Sequence, residues 1–345
     1  MHAACGICGG ELVLRYPGSG RPLDSSLLSP TNHRPGEHPD LYRCAGCGTL
    51  QQAPLPEGAE LVRMYRAMRD DAYLQEEPGR RRTARRVLDK IAPHAPRGRL
   101  LDVGCGPGLL LDEARALGFE VEGLELSRSA AAFARGRLRL TVHDVPLEEF
   151  EPDGEPFDAV VLADVLEHLA DPVAALRRCR DLLAPGGVLC LVTPDPSSVT
   201  ARVAGARWWG LLPAHTFLVP RATLRLLAAA EGFELVDDSS LVRSFTTAYW
   251  LGGLAERGGR MAAVVRGARR AVPRRLMLSL SLGDERVIVA TRGVQVPTRP
   301  APASGPGRAP LPPRTPAAPA VRAARARPSW RPATRSPRAG RARSE

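Results

Sequence analysis

The chain has 345 residues, enough for one sizeable domain and a smaller module, with a formal net charge of +11. Eleven arginines against a single acid in residues 296–345 account for nearly all of that charge, so the rest is close to neutral and lacks the basic body of a nucleic-acid binder. No apolar run approaches the ~18 residues of a transmembrane helix, no charged-then-apolar leader opens the chain, and seven cysteines, an odd number, speak against a secreted disulfide framework. The expectation is a protein of the reducing cytoplasm.

Residues 1–53 contain two knuckles, Cys5-Gly6-Ile7-Cys8 and Cys44-Ala45-Gly46-Cys47, each followed by glycine. Four thiolates on two tight turns suit tetrahedral structural Zn²⁺, so Cys5, Cys8, Cys44 and Cys47 are the candidate ligands of a zinc ribbon. The stretch between the knuckles is rich in Pro, Gly and Ser, and it is long for such a ribbon. Residues 57–93 read as helical, with Leu61, Tyr65 and Met68, then Val87, Leu88 and Ile91, at helical spacing. The arginine cluster Arg80-Arg81-Arg82 with Arg85-Arg86 is expected on a solvated face.

From residue 98 to about 193 strands and helices alternate. Strands are expected at 99–103, 119–125, 138–143, 157–163 and 187–193, and helices at 108–117, 128–135 and 171–183. That order predicts a parallel sheet wound by helices. A helix at 221–231, a strand at 233–242 and a last strand at 285–291 follow; residues 245–282 are mixed. Beyond 296 the chain is Pro/Ala/Arg low complexity with too little apolar surface to fold, so a disordered tail is expected. The expected organisation is therefore a zinc-ribbon-like module (1–53), a helical lead-in (54–97), an α/β domain (98–295) and the tail (296–345).

Leu100-Leu101-Asp102-Val103-Gly104-Cys105-Gly106-Pro107-Gly108 is a buried strand ending in an acid and a glycine turn that lets a ligand approach the backbone. A dinucleotide fingerprint would need glycine at 109, where Leu109 stands. The stretch instead resembles motif I of the class I S-adenosylmethionine (SAM) methyltransferases. Four further segments resemble that family in order: the strand ending at Glu125, Asp144 with Val145, Phe157–Ala163 followed by Asp164-Val165-Leu166-Glu167-His168, and Leu183-Ala184-Pro185-Gly186-Gly187.

The resemblance implies a Rossmann-like seven-stranded sheet with its last strand antiparallel, and SAM as cofactor. It implies Asp102 near the methionine end, Gly104, Cys105, Gly106 and Gly108 under the cofactor, Glu125 with Leu126 at the ribose, Asp144 with Val145 at the adenine, and Ala163 near the sulfonium. Methyl transfer from a sulfonium is governed by alignment, and a base is needed only for a hydroxyl, an acidic carbon or a protonated amine. His168, after the fourth strand, and His215, in the Trp208–Phe217 stretch, are the candidate bases. Trp208 and Trp209 are either an aromatic wall or core. The loop Ala163-Asp164-Val165-Leu166 lacks the N/D-P-P-Y/F sequence of adenine-type amine methylation. Three functions are weighed. The first is methylation of a small-molecule or glycan-type acceptor. The second is a zinc-ribbon rRNA methyltransferase, with the Arg-rich tail supplying non-specific RNA affinity. The third is a non-catalytic binding scaffold.

Overall fold

In the computed structural model, residues 4–21, 23–31, 37–70, 72–95, 97–256, 273 and 276–293 are described. The expected tail at 296–345 and part of the mixed stretch at 245–282 lie outside them. The described residues belong to one compact unit, Met1–Val296. In chain order they form β1 (Leu12–Tyr16), β2 (Leu41–Cys44), β3 (Leu50–Gln52), α1 (Gly58–Ala67), α2 (Glu77–Ile91), β4 (Arg99–Val103), α3 (Leu109–Ala116), β5 (Glu120–Leu124), α4 (Arg128–Arg137), β6 (Thr141–His143), β7 (Phe157–Ala163), α5 (Pro172–Leu182), β8 (Leu183–Pro194), α6 (Val199–Ala204), β9 (Phe217–Leu218), α7 (Arg221–Ala230), β10 (Phe233–Ser240), β11 (Arg243–Thr246), α8 (Thr247–Glu256), β12 (Met277–Leu280) and β13 (Glu285–Arg292).

The main sheet has seven strands in the order β10-β13-β8-β7-β4-β5-β6. β8, β7, β4, β5 and β6 pair in parallel, whereas β13 runs antiparallel to both β8 and β10. This is the Rossmann-like α/β sheet with an antiparallel last strand. Its near-continuous apolar strands are buried on both faces, as parallel sheets require. Leu100, Ala159, Val161, Val188 and Cys190 face α2, α3 and α4. Their neighbours Leu101, Val160, Leu162, Leu189 and Leu191 pack on the other side, against α5 and α7. The period of two along each strand thus builds two cores on one sheet. Truncating a fully buried member such as Leu176 to alanine would cost about 2–5 kcal/mol.

Three local readings differ from expectation. Residues 138–140 are not strand: Arg139 adopts a left-handed backbone (φ 56°), so β6 begins only at Thr141. The Leu183–Gly187 turn is instead an irregularity within β8, where the register with β7 shifts between Phe157 and Ala159. The arginines of α2 are not simply a solvated face. Arg81 bonds Glu77 (2.8 Å), Asp112 (2.8 Å) and Glu113 (3.0 Å), Arg85 bonds Glu113 (2.5 Å), and Arg86 reaches the Val242 carbonyl (3.0 Å) and Ser244 (2.6 Å). These charges clamp α2 to α3 and β11, because α3 brings two carboxylates, and the start of β11 a carbonyl and a hydroxyl, within guanidinium reach.

The N-terminal strands form a second sheet in the order β1-β2-β3-β9. Its fourth strand comes from far along the chain: Leu50 pairs with Leu218 and Gln51 with Phe217. In the mixed stretch, β11 and β12 pair antiparallel (Arg243 with Leu280, Thr246 with Met277) and β11 packs on α2. Among the described residues no helix is long and apolar enough to cross a membrane.

Candidate functional site

The C-terminal ends of β4, β5, β6 and β7 converge on one cavity of about 1250 Å³, where open α/β sheets place ligands. β4 ends in the glycine turn. Gly104 and Gly108 both lie in the left-handed region (φ 68° and 82°), and Gly108 opens α3. A Cβ on Gly104 would fall 2.6 Å from Val165 Cγ2, so the turn needs glycine for both conformation and space. Gly106 has nothing within 4 Å of where a Cβ would stand, so this part of the turn faces open volume.

Glu125 ends β5 and is 8% exposed. Its Oε2 accepts from the Gly106 N–H (2.7 Å) and its Oε1 from the Ser127 N–H (2.6 Å). Burial raises its pKa, and those two N–H bonds pull it down. Asp102 is buried behind the turn; desolvation and the Glu125 charge push its carboxyl well above the usual range. Asp144 follows β6, and its Oδ1 accepts from Arg66 Nε (3.2 Å) while its carbonyl accepts from Arg66 Nη2 (3.3 Å).

Of the sequence-derived cofactor candidates, Gly104, Gly106, Glu125, Leu126, Val145 and Ala163 line the cavity. Asp102, Cys105, Gly108 and Asp144 are not among the lining residues. Cys105 is 7% exposed and packs against Gly123, where a Cβ would sit 2.6 Å from its sulfur. Gly108 backs onto Leu140 and Ala134.

The two candidate histidines come together, with ring centroids 4.8 Å apart in an edge-to-face arrangement. His168 Nδ1 lies 2.8 Å from the Tyr65 hydroxyl and 3.2 Å from the Ala214 carbonyl, and His215 Nδ1 lies 2.7 Å from the Gly210 carbonyl. Nδ1 of each ring is thus engaged, by backbone in both and by Tyr65 in His168. Burial lowers the pKa of His168 to about 4 and, with the His168 charge adding, that of His215 to about 3. Both rings are neutral at pH 7.

Beside them is Glu167, 2% exposed. Thr193 is close to its carboxylate, yet neither oxygen has a partner of hydrogen-bonding geometry. Desolvation, then the Asp164 charge, raises its pKa well above the usual range. Asp164 itself is matched by Arg243, whose Nη2 reaches both of its oxygens at 2.6 Å.

Among the described residues, two groups are close enough to hold a metal ion. One is Cys5, Cys8, Cys44 and Cys47; the other is Glu167, His168 and His215. Ligand atoms lie within 4.8 Å of one another in each. In the first, Cys5 and Cys47 sulfurs are 3.7 Å apart and Cys8 and Cys44 sulfurs 3.4 Å. Sequence reading alone assigns no site role to Tyr65, Arg66, Gln52, Glu167 or Arg243. Only Glu167 carried a local cue, its place beside His168; the others arrive from distant segments.

The chain is similar to known methyltransferases. Residues 76–238 match a family described as a methyltransferase domain. The chain is 34% identical over 174 residues to a ubiquinone biosynthesis O-methyltransferase of Cereibacter sphaeroides, spanning 46% of this chain and 68% of that protein. It is also 34% identical over 178 residues to the protein of that name from Dinoroseobacter shibae, spanning 47% and 71%. Among solved structures it is similar to the N-methyltransferase NodS of Bradyrhizobium japonicum in complex with S-adenosyl-L-homocysteine (SAH), at 17% identity and TM-score 0.44 over 68% of this chain and 97% of that one. The chain belongs to the class I SAM-dependent methyltransferases.

Proposed function

We propose that this methyltransferase moves the methyl group of SAM to a hydroxyl of a small-molecule acceptor. One observation carries the reading: the glycine turn with Glu125 and the Glu167–His168–His215 cluster open onto the same cavity. In this reading the backbone of Gly104, Cys105, Gly106 and Gly108 bears the cofactor, and Asp102 acts from behind toward its methionine end. Glu125 and Leu126 meet the ribose, Asp144 and Val145 the adenine, and Ala163 the region of the sulfonium. The cavity exceeds the ~300–1,000 Å³ usual for a single ligand, which suits two.

A sulfonium is already activated, so the protein's task is to hold a nucleophile in line and take its proton. A neutral imidazole whose Nδ1–H donates can accept a hydroxyl proton at Nε2; His215, whose Nδ1 faces the Gly210 carbonyl, meets that condition, and His168 meets it in the tautomer that donates to the Ala214 carbonyl. The names of these relatives, O-methyltransferases of ubiquinone biosynthesis, favour a hydroxyl on a small molecule over RNA or a glycan. The near-neutral body also speaks against RNA.

The N-terminal knuckles read as a zinc ribbon. A Zn–S bond of about 2.3 Å in a tetrahedron separates sulfurs by about 3.8 Å, and the Cys8–Cys44 and Cys5–Cys47 sulfur pairs stand at 3.4 and 3.7 Å. Transfer of labelled methyl from SAM into phenols and catechols, set beside amines of similar shape, tests the reading. It expects a methyl ether as product. Label only on amines would overturn it.

A further inference from the structure

The residues preceding the family match at 76 build part of the site. Between the two knuckles, Ser25–Leu28 forms a tight helical turn capped by Asp24, whose Oδ1 accepts from the Ser26 N–H (2.8 Å). Leu27 and Leu28 are 4% and 2% exposed and line the cavity together with Leu61 and Val62 of α1. Asp70 fixes this turn to the lead-in: its carboxylate accepts from the Thr31 N–H (3.1 Å), the Thr31 hydroxyl (2.6 Å) and the Tyr73 N–H (3.0 Å). A second tie runs to the candidate base. Gln52 is 2% exposed and donates from Nε2 to the carbonyls of Pro213 (2.9 Å) and His215 (3.0 Å). Its strand β3 pairs with β9, just beyond His215.

The walls near His215 are apolar in what they offer. Trp208 and Trp209 both spend their indole N–H on Asp284 Oδ2 (2.8 and 2.7 Å), which leaves ring surface for the cavity. Leu211 and Leu212 adjoin them. A polyhydroxylated acceptor placed here would leave hydroxyls dehydrated and unpaired, whereas hydrocarbon loses nothing.

We propose that the four-cysteine module is the acceptor-specificity element of this enzyme. Leu27 and Leu28 bed the apolar body of the acceptor, and Gln52 positions the His215 turn at its reactive end. The proposal rests on the hydroxyl-methylation reading above.

The test uses the full chain and the series catechol, 4-methylcatechol, 4-butylcatechol and 4-hexylcatechol. Two quantities are read: binding to the SAH-loaded protein and kcat/KM for methyl transfer. Wild type is expected to gain about three- to fourfold per buried methylene until the pocket is filled. Leu28→Ser flattens that slope, while Leu27→Phe moves the optimum to a shorter chain; SAH affinity is unchanged in both. The opposite directions separate loss of pocket from loss of fold. A wild type indifferent to chain length, or equal slopes in wild type and both variants, would overturn the proposal. SAH failing to bind wild type would instead overturn the cofactor reading on which it stands.

Discussion

Glu167 stands where a charge is unwelcome. It is 2% exposed, and neither carboxylate oxygen is hydrogen-bonded. Replacing it with an apolar side chain of similar length should therefore stabilise the protein while impairing methyl transfer. For Glu167→Met without cofactor at pH 7, the gain should be about 1–4 kcal/mol, the range seen when buried ionic groups give way to well-packed apolar ones. A domain of this size shifts in Tm by roughly 2–4 °C per kcal/mol. The pH dependence identifies the cause. Folding raises the Glu167 pKa, so wild type is most stable below the ordinary carboxyl value of 4.5. It loses stability as pH climbs from there toward the folded-state value, whereas methionine does not titrate. The advantage of the variant should thus be small near pH 4 and widen toward pH 7. Scanning calorimetry of both proteins across that range, with single-turnover methyl transfer alongside, decides it. A variant less stable than wild type at pH 7, or an advantage that does not vary with pH, would refute the reasoning.

The histidines predict a slope of opposite sign. Their folded pKa values, about 4 for His168 and about 3 for His215, lie below the ordinary imidazole value of 6.5, so their contribution is present above 6.5 and is lost as pH falls toward 4 and then 3. Urea titrations of wild type and His215→Asn between pH 7 and 4 should converge by up to about 1.4 kcal/mol per pH unit; parallel curves would count against a buried neutral imidazole. Zinc should be found at one ion per chain by mass spectrometry of the native protein, and Cys44→Ser should lower that occupancy and protect β3 less from hydrogen exchange. Full occupancy in the variant would dismiss the four-cysteine site. Gly104→Ala, which puts a methyl 2.6 Å from Val165 Cγ2 at φ 68°, should destabilise by about 1–3 kcal/mol in thermal unfolding and weaken SAH binding. An alanine variant matching wild type in both would mean that the turn is not held as described.

Much of the central sheet was legible because its signals are local. β4, β7 and α3 fall within a residue or so of their expected bounds, since an apolar run closed by a glycine turn leaves few other solutions. β6 was overextended because Leu138 and Leu140 look like strand residues, whereas they pack beside α3 and α4 around a left-handed Arg139. The glycine turn and Glu125 were readable for the same local reason. What surrounds them was not. Tyr65 meets His168 across 103 residues and Gln52 meets His215 across 163, and no periodicity encodes such pairings. The arginines of α2 look solvated because charge on a helix usually is; apart from Glu77, the acids that bind them lie on α3, out of view from α2 alone.

Binding of SAH to the full chain, followed by titration calorimetry beside Gly106→Arg, tests the central claim most directly. Gly106 faces open volume at φ 55°, so a long side chain there would occupy the space assigned to the cofactor without entering the core. The account predicts micromolar affinity for wild type, about −8 kcal/mol, and its loss in a variant that stays folded, its Tm lowered only by what about 1–2 kcal/mol of left-handed backbone strain costs. A folded wild type that takes up no SAH, or a variant that binds it equally well, would contradict the placement of the cofactor on the glycine turn.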